Sequence, residues 1–313
     1  MCGYLRYYYP GEYITSFLNN AANDDDLANG AMLARLYGFQ ITMPKYGISD
    51  SSYSLDKETK TIAKGISSVK GLGEKDAGEL LEVAKHQRHG RFSDVLHEIK
   101  TQTHVNSGKL DTLIHIDFFS MFGNQRELEN IVMIYDRFAD RKQLNKEEVE
   151  GSRFEEIIKA HSTDLTKSGK PAARYTITDN LAIIHDCEDR IMSLHLPDFS
   201  LIAKVKYFAE VMGYSGYTTG KDEDMKKLYV KDIYPLKRKS DGKQFGYSVI
   251  TQSIGSGKEA RFTVFNKEYN YLPITKGDII RLIDWTRDKG VYFTLRQYSI
   301  LHEGDMSEVK ELT

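Results

Sequence analysis

Two stretches of the 313-residue chain set a glycine and a lysine at the start of a segment with helical apolar spacing. In GISSVKGLGEKDAGELL, Gly71, Leu72 and Gly73 are followed at once by Glu74, Lys75 and Asp76. The order hydrophobic, polar, Gly, hydrophobic, Gly suits a tight corner between two helices. Glycine tolerates backbone angles and close approaches that a side chain forbids, while Leu72 tucks between the helices and fixes the corner. The helix that follows begins with N–H groups lacking intrahelical acceptors, which attract anions, and Lys75 adds a cation beside them. The chemistry on offer is non-covalent capture of a phosphate. HVNSGKLDTLI repeats the arrangement, with Val105 and Asn106 ahead of the helix and Lys109 in its first turn. Two such corners could grip one duplex across its backbone without reading its sequence. Glu74 and Asp76 dilute the local charge, and compensation of the helix dipole accounts for them. An ordinary helical hairpin, whose glycines only turn the chain, would use the same residues.

A third group lies near the end. Between Tyr229 and Ile300 the chain carries 13 basic against 7 acidic residues, a local balance of +6 inside a molecule whose net charge is -2. Lys237, Arg238, Lys239 and Lys243 cluster in KRKSDGK, Arg261 follows, and Phe245, Tyr247, Phe262 and Phe265 alternate through the neighbouring segments. Basic loops around aromatic side chains suit single-stranded nucleic acid, with charge for the backbone and rings for the bases. Some of these rings must be core. Phe262 and Phe265 stand three apart in a strand and cannot share a face. A solvated turn is the competing account of KRKSDGK, and packing is the expected role of Trp285.

Other side chains offer little catalysis. Asp24, Asp25 and Asp26 are adjacent at a helix start, where capping explains them better than metal binding. His86, His89, His97 and His104 lack a zinc spacing, and Cys2 and Cys187 form neither a ligand set nor a disulfide framework. The two cysteines fit a reduced cytoplasmic setting. No apolar run approaches the roughly 20 residues that span a bilayer, and MCGYLRYYYPGEY has no signal-peptide character, so no membrane partner is expected.

The elements that must position these groups change character once. Up to about Leu228 the apolar period is helical, broken by short strand-like pieces at KTIAKGI and RYTIT; beyond it the period becomes two. Five short antiparallel strands over roughly 70 residues suit a small closed or partly open barrel. The expected fold class is therefore multidomain α+β, helical first and β-barrel last. At the start, Tyr4, Leu5, Tyr7, Tyr8 and Tyr9 form an aromatic cluster that suits either an interface or a core.

Five separated blocks carry a family likeness. CGYLRYYYPGEYITSFLNN resembles the part of bacterial replicative DNA polymerase III alpha subunits in which Tyr-Leu and Tyr-Pro pairs precede a helix of the fingers. ARLYGFQITMP, KTIAKGISSVKGLGEKDAGELL, HVNSGKLDTLIHIDFFSMFGNQREL and VKYFAEVMGY follow in that family's order, with the lysine-rich β module last. The resemblance implies the end of the fingers at residues 1–45, a tandem helix-hairpin-helix domain at 46–140, a helical connector at 141–226, an oligonucleotide-binding barrel at 227–301 and a tail at 302–313. It also implies that Gly71, Leu72, Gly73 and Lys75, with Val105, Asn106 and Lys109, lie against duplex phosphates.

What the likeness lacks matters as much. Nucleotidyl transfer needs acidic side chains holding metal ions in a palm domain, which this sequence does not provide. The implied Mg²⁺ belongs to that palm, and no cofactor is expected in this chain. The expected function is that of the DNA-binding carboxy-terminal part of a DNA-directed DNA polymerase, inactive alone and completed by a palm-bearing chain, with a sliding clamp as a further partner. The alternative is a standalone single-strand or duplex DNA-binding accessory protein in replication or repair. A neighbouring frame encoding the palm would separate the two.

Overall fold

The computed structural model describes residues 2–85, 90–165, 170–212, 217–288 and 292–302. His86, His89 and nearly all of the tail lie outside the described residues. The chain forms two compact units, residues 1–22 with 29–199 and residues 23–28 with 200–313.

Helices α1 (Cys2–Tyr8), α2 (Pro10–Asn19) and α3 (Asp24–Leu36) come first, with Pro10 pre-set for the first turn of α2. Strands β1 (Gln40–Thr42), β2 (Ser54–Asp56) and β3 (Thr61–Ala63) then make a small mixed sheet in the order β1-β3-β2. At Gly65 a Cβ would lie 2.3 Å from the Ser51 carbonyl oxygen, so only glycine lets the chain leave this sheet as it does.

The hairpin region follows: α4 (Glu74–Lys85), α5 (Phe92–Gln102), α6 (Ser107–His115) and α7 (Gln125–Phe138). Phe92, Leu96, Ile99, Phe118, Phe119 and Leu80 are fully buried here. Ahead of the Gly71 corner stands a single 3-10 turn, Ile66–Ser68, in place of the expected helix. Ser67 and Ser68 donate their hydroxyls to the Ser51 and Gly65 carbonyls at 2.7 Å each, which favours a turn over a helical ladder.

The polar stretch after α7 contains regular structure that its composition hides. Strand β4 (Gln143–Asn145), α8 (Lys146–Val149), α9 (Glu155–Ala160), β5 (Ser162–Leu165) and β6 (Pro171–Ile177) build an antiparallel sheet ordered β4-β6-β5. Helix α10 (Asn180–Ser193) returns to α5. Its buried Glu188 accepts the Phe92 and Ser93 N–H groups at 2.8 and 3.1 Å, together with the Ser93 hydroxyl.

The second unit opens with α11 (Leu201–Met212) and continues into β7 (Lys227–Lys237), β8 (Gln244–Ser253), β9 (Glu259–Phe265), α12 (Asn266–Tyr271), β10 (Ile279–Asp288) and β11 (Tyr292–Leu301). The five strands close into a barrel ordered β10-β11-β9-β8-β7, sealed by pairing of β10 with β7. One pair departs from the expected antiparallel set: β11 lies parallel to β9, with Phe293 opposite Phe262. The helical crossover α12 permits this, because a hairpin cannot join parallel neighbours. Val230, Val249, Phe262, Val264, Ile280 and Leu295 fill the interior. The fold class is multidomain α+β, with helical regions followed by a small closed five-stranded β-barrel.

Candidate nucleic-acid interface

At the first corner the roles of the two glycines separate. Gly71 has φ +87°, a conformation costly for any residue with a Cβ, whereas Gly73 is not left-handed. Among the described residues a Cβ on Gly73 would meet only Asp76 Oδ2, at 3.8 Å, so none of them demands glycine there. Leu72 is buried at 6% exposure and its N–H donates to the Val69 carbonyl at 3.0 Å, which anchors the corner.

The helix starts in this region differ in what already occupies them. Glu188 fills the start of α5. Asn106 caps α6 by accepting the Lys109 N–H at 3.0 Å, Asn124 and Glu127 form a capping box on α7, and Asp179 caps α10. Gly73 has no side chain with which to cap α4. Among the described residues no side-chain oxygen meets the N–H groups of Glu74, Lys75 or Asp76, so α4 keeps an open, positively polarised end. Lys75 stands beside it, 70% exposed and 3.8 Å from Glu79. Lys70, exposed just before Gly71, adds a second cation that the sequence reading passed over.

The second corner is more committed. Val105 is core at 5% exposure, and Asn106 spends its side-chain oxygen on the cap. The Lys109 ammonium lies 2.6 Å from Asp76 Oδ1, so its charge is matched inside the protein. Asp76 is therefore more than a dipole-compensating residue. The Gly73 N–H and Lys109 hold its carboxyl below the usual carboxylate range.

Asp111, His115 and Glu129 gather metal-ligating side chains within 4.8 Å. The two ring nitrogens of the buried His115 face different carboxylates, Nε2 at 2.7 Å from Glu129 and Nδ1 at 3.5 Å from Asp111. The trio thus serves as a polar link between α6 and α7.

On the barrel, Lys237, Arg238, Lys239 and Lys243 are all exposed in the β7–β8 turn. The Arg238 N–H bonds to the Lys243 carbonyl at 2.9 Å, and Gly242 takes φ +69° to close the turn. None of the four cations makes an ion pair among the described residues, while Lys231 and Lys276 elsewhere on the barrel face Glu259 and Asp232 at 2.6 and 3.6 Å. Register then sorts the aromatics. Tyr247 pairs with Val264 and Val249 with Phe262, which sets Tyr247 toward the core, where it stacks on Tyr269 with centroids 3.7 Å apart. Phe245 is half-buried, 6.2 Å from Phe265. Opposite the core, Leu236, Gly246 and Phe265 form one cross-strand row, Tyr234, Ser248 and Thr263 the next, and Asp232, Ile250 and the exposed Arg261 a third. Tyr234 at 51% and Phe265 at 37% exposure flank the small Gly246 and Ser248 of the middle strand. This is a shallow floor with aromatic rims and a basic turn at one end. Trp285 is 37% exposed with the Lys226 ammonium 5.6 Å from its ring, less enclosed than its strand context suggested.

A family model described as a helix-hairpin-helix motif matches residues 38–128, the segment that contains both corners. The chain is 26% identical over 125 residues to the DNA polymerase III subunit alpha of Aquifex aeolicus (strain VF5), a match that covers 40% of this chain and 11% of that protein. With the closed barrel, these matches support a likeness at the level of the family.

Proposed function

We propose that the chain is a DNA-binding part of a replicative polymerase of the alpha-subunit kind, holding duplex at the helical hairpins and single-stranded template on the barrel. The observation that carries this reading is the uncapped start of α4, framed by Lys70 and Lys75, in a hairpin region where the starts of α5, α6 and α7 are filled from within. Gly71 shapes the corner; Gly73 leaves room for a phosphate to approach the backbone. On the barrel, Lys237, Arg238, Lys239 and Lys243 supply uncommitted charge, and Tyr234 and Phe265 supply ring faces for bases.

Phosphoryl transfer would be the work of a palm-bearing partner with its Mg²⁺, and this chain's residues bind and orient the nucleic acid. The exposed Tyr4, Tyr7, Tyr8 and Tyr9 on and beside α1 suit contact with such a partner.

Fluorescence anisotropy with duplex and single-stranded oligonucleotides at several salt concentrations, followed by primer extension with the chain alone and mixed with a palm-bearing chain from the same genome, tests the proposal. Salt-sensitive binding with extension only in the mixture supports it. Binding without extension in the mixture favours an accessory binder, and absence of binding to both nucleic acids refutes either role.

A further inference from the structure

Two carboxylates of α4 reach across to the second hairpin. Asp76 accepts the Gly73 N–H at 2.9 Å with one oxygen and the Lys109 ammonium at 2.6 Å with the other. One turn on, Glu79 accepts the backbone N–H of His104 at 2.7 Å and faces its Nδ1 at the same distance. These partners stand 33 and 25 positions away in sequence, so the contacts fasten one hairpin to the other. The Asp76 and Lys109 side chains are only 10% and 27% exposed, a setting in which an ion pair is screened far less than on the surface.

We propose that Asp76 is a positioning residue that locks the start of α4 to the start of α6, so that both hairpins meet a duplex as one rigid unit. The inference rests on the reading of the hairpins as duplex-binding. Its consequence runs against simple electrostatics. If Asp76 acted only as a negative charge near phosphates, removing it would tighten binding. If it were a stand-in anion that a phosphate displaces, removing it would also tighten binding. A brace acts the other way, because a loosened pair of hairpins must be ordered again each time duplex binds.

The test is duplex affinity of the full chain carrying Asp76→Asn, a near-isosteric change that keeps an acceptor for the Gly73 N–H and removes the charge. The expected loss is roughly tenfold or somewhat less, with single-strand affinity unchanged. Lys109→Met should cost a similar factor, and the double variant should be no weaker than either single one. Tighter or unchanged duplex binding by a folded Asp76→Asn chain overturns the proposal; if that variant fails to fold, Lys109→Met with the conservative Asp76→Glu answers the same question. A second readout needs no DNA. Nitroxides at Glu82 and Ser107, in a Cys2→Ser background, should give a narrow distance distribution that broadens in Asp76→Asn, and an unbroadened one refutes the brace. A chain that binds no duplex at all refutes the proposed function, while the nitroxide pair still decides the role of Asp76.

Discussion

Gly71 and Gly73 look equivalent in the sequence and differ in what requires them. The left-handed backbone at Gly71 is an internal need, so Gly71→Ala should lower stability by about 1 kcal/mol. At Gly73 neither dihedral nor crowding excludes a methyl group. Gly73→Ala should leave the melting temperature nearly unchanged and weaken duplex binding several-fold, and a β-branched residue should weaken it further. Paired melting and anisotropy measurements check this, and a Gly73→Ala chain that binds as well as the parent would show that no ligand approaches the backbone there. The corner itself was readable because Gly-Leu-Gly ahead of a helical period leaves few alternatives. The fate of Lys109 was not, since its partner Asp76 lies 33 residues away and a salt bridge of that span has no local signal. Lys64 is a similar case. Nothing in KTIAKGI distinguishes it from a surface lysine, yet it is 2% exposed and burial pushes its pKa down to about 7.

Among the elements, the β7–β8 hairpin shows how far alternation can be read. The basic turn was plain from KRKSDGK. Which aromatics flank the outer floor was not, because β7 changes register between Val230 and Asp232, and a bulge reverses the inward-outward parity on which any face assignment depends. Tyr234 was therefore passed over, and Tyr247, grouped in the sequence with the rings offered to bases, is stacked toward the core. Register irregularities between Leu282 and Trp285 similarly account for the exposure of the tryptophan. Tyr234→Ala and Phe265→Ala should each lower single-strand affinity by about 1 kcal/mol or more, with little change in stability, because both rings are substantially exposed. Neutralising Lys237, Arg238 and Lys239 together should flatten the dependence of log affinity on log salt by roughly 2 units for single strands. Tyr247→Ala is the control, and its cost should appear first in the melting curve. An unaltered salt slope would return the turn to the role of a solvated loop.

At the scale of the molecule, the change from a helical period to a period of two marks the start of the barrel strands, legible because the signal is repeated over many residues, whereas the second unit already begins at Ser200 with the helix α11. Of the two small sheets in the helical part, KTIAKGI and RYTIT revealed one strand each, β3 and β6, while β1, β2, β4 and β5 are three or four residues each, too short to display a period. Parallel pairing of β11 with β9 was equally hidden, since it follows from the crossover through α12 and not from any strand's own pattern. Each part nonetheless has its own buried core, one around Phe92 and Phe119 and one around Val249 and Phe262. Binding should therefore be separable. A fragment of residues 1–199 should fold and keep duplex affinity with little for single strands, and residues 200–313 should do the reverse, as judged by circular dichroism and anisotropy. When both activities are linked in the full chain, an oligonucleotide with a duplex–single-strand junction should bind more tightly than either substrate alone, because the second contact is then made at the effective concentration set by the linkage. The gain should vanish when the fragments are mixed instead of joined. A junction bound no better than plain duplex would mean that hairpins and barrel do not engage one nucleic acid together, and would count against the polymerase-like reading of the chain.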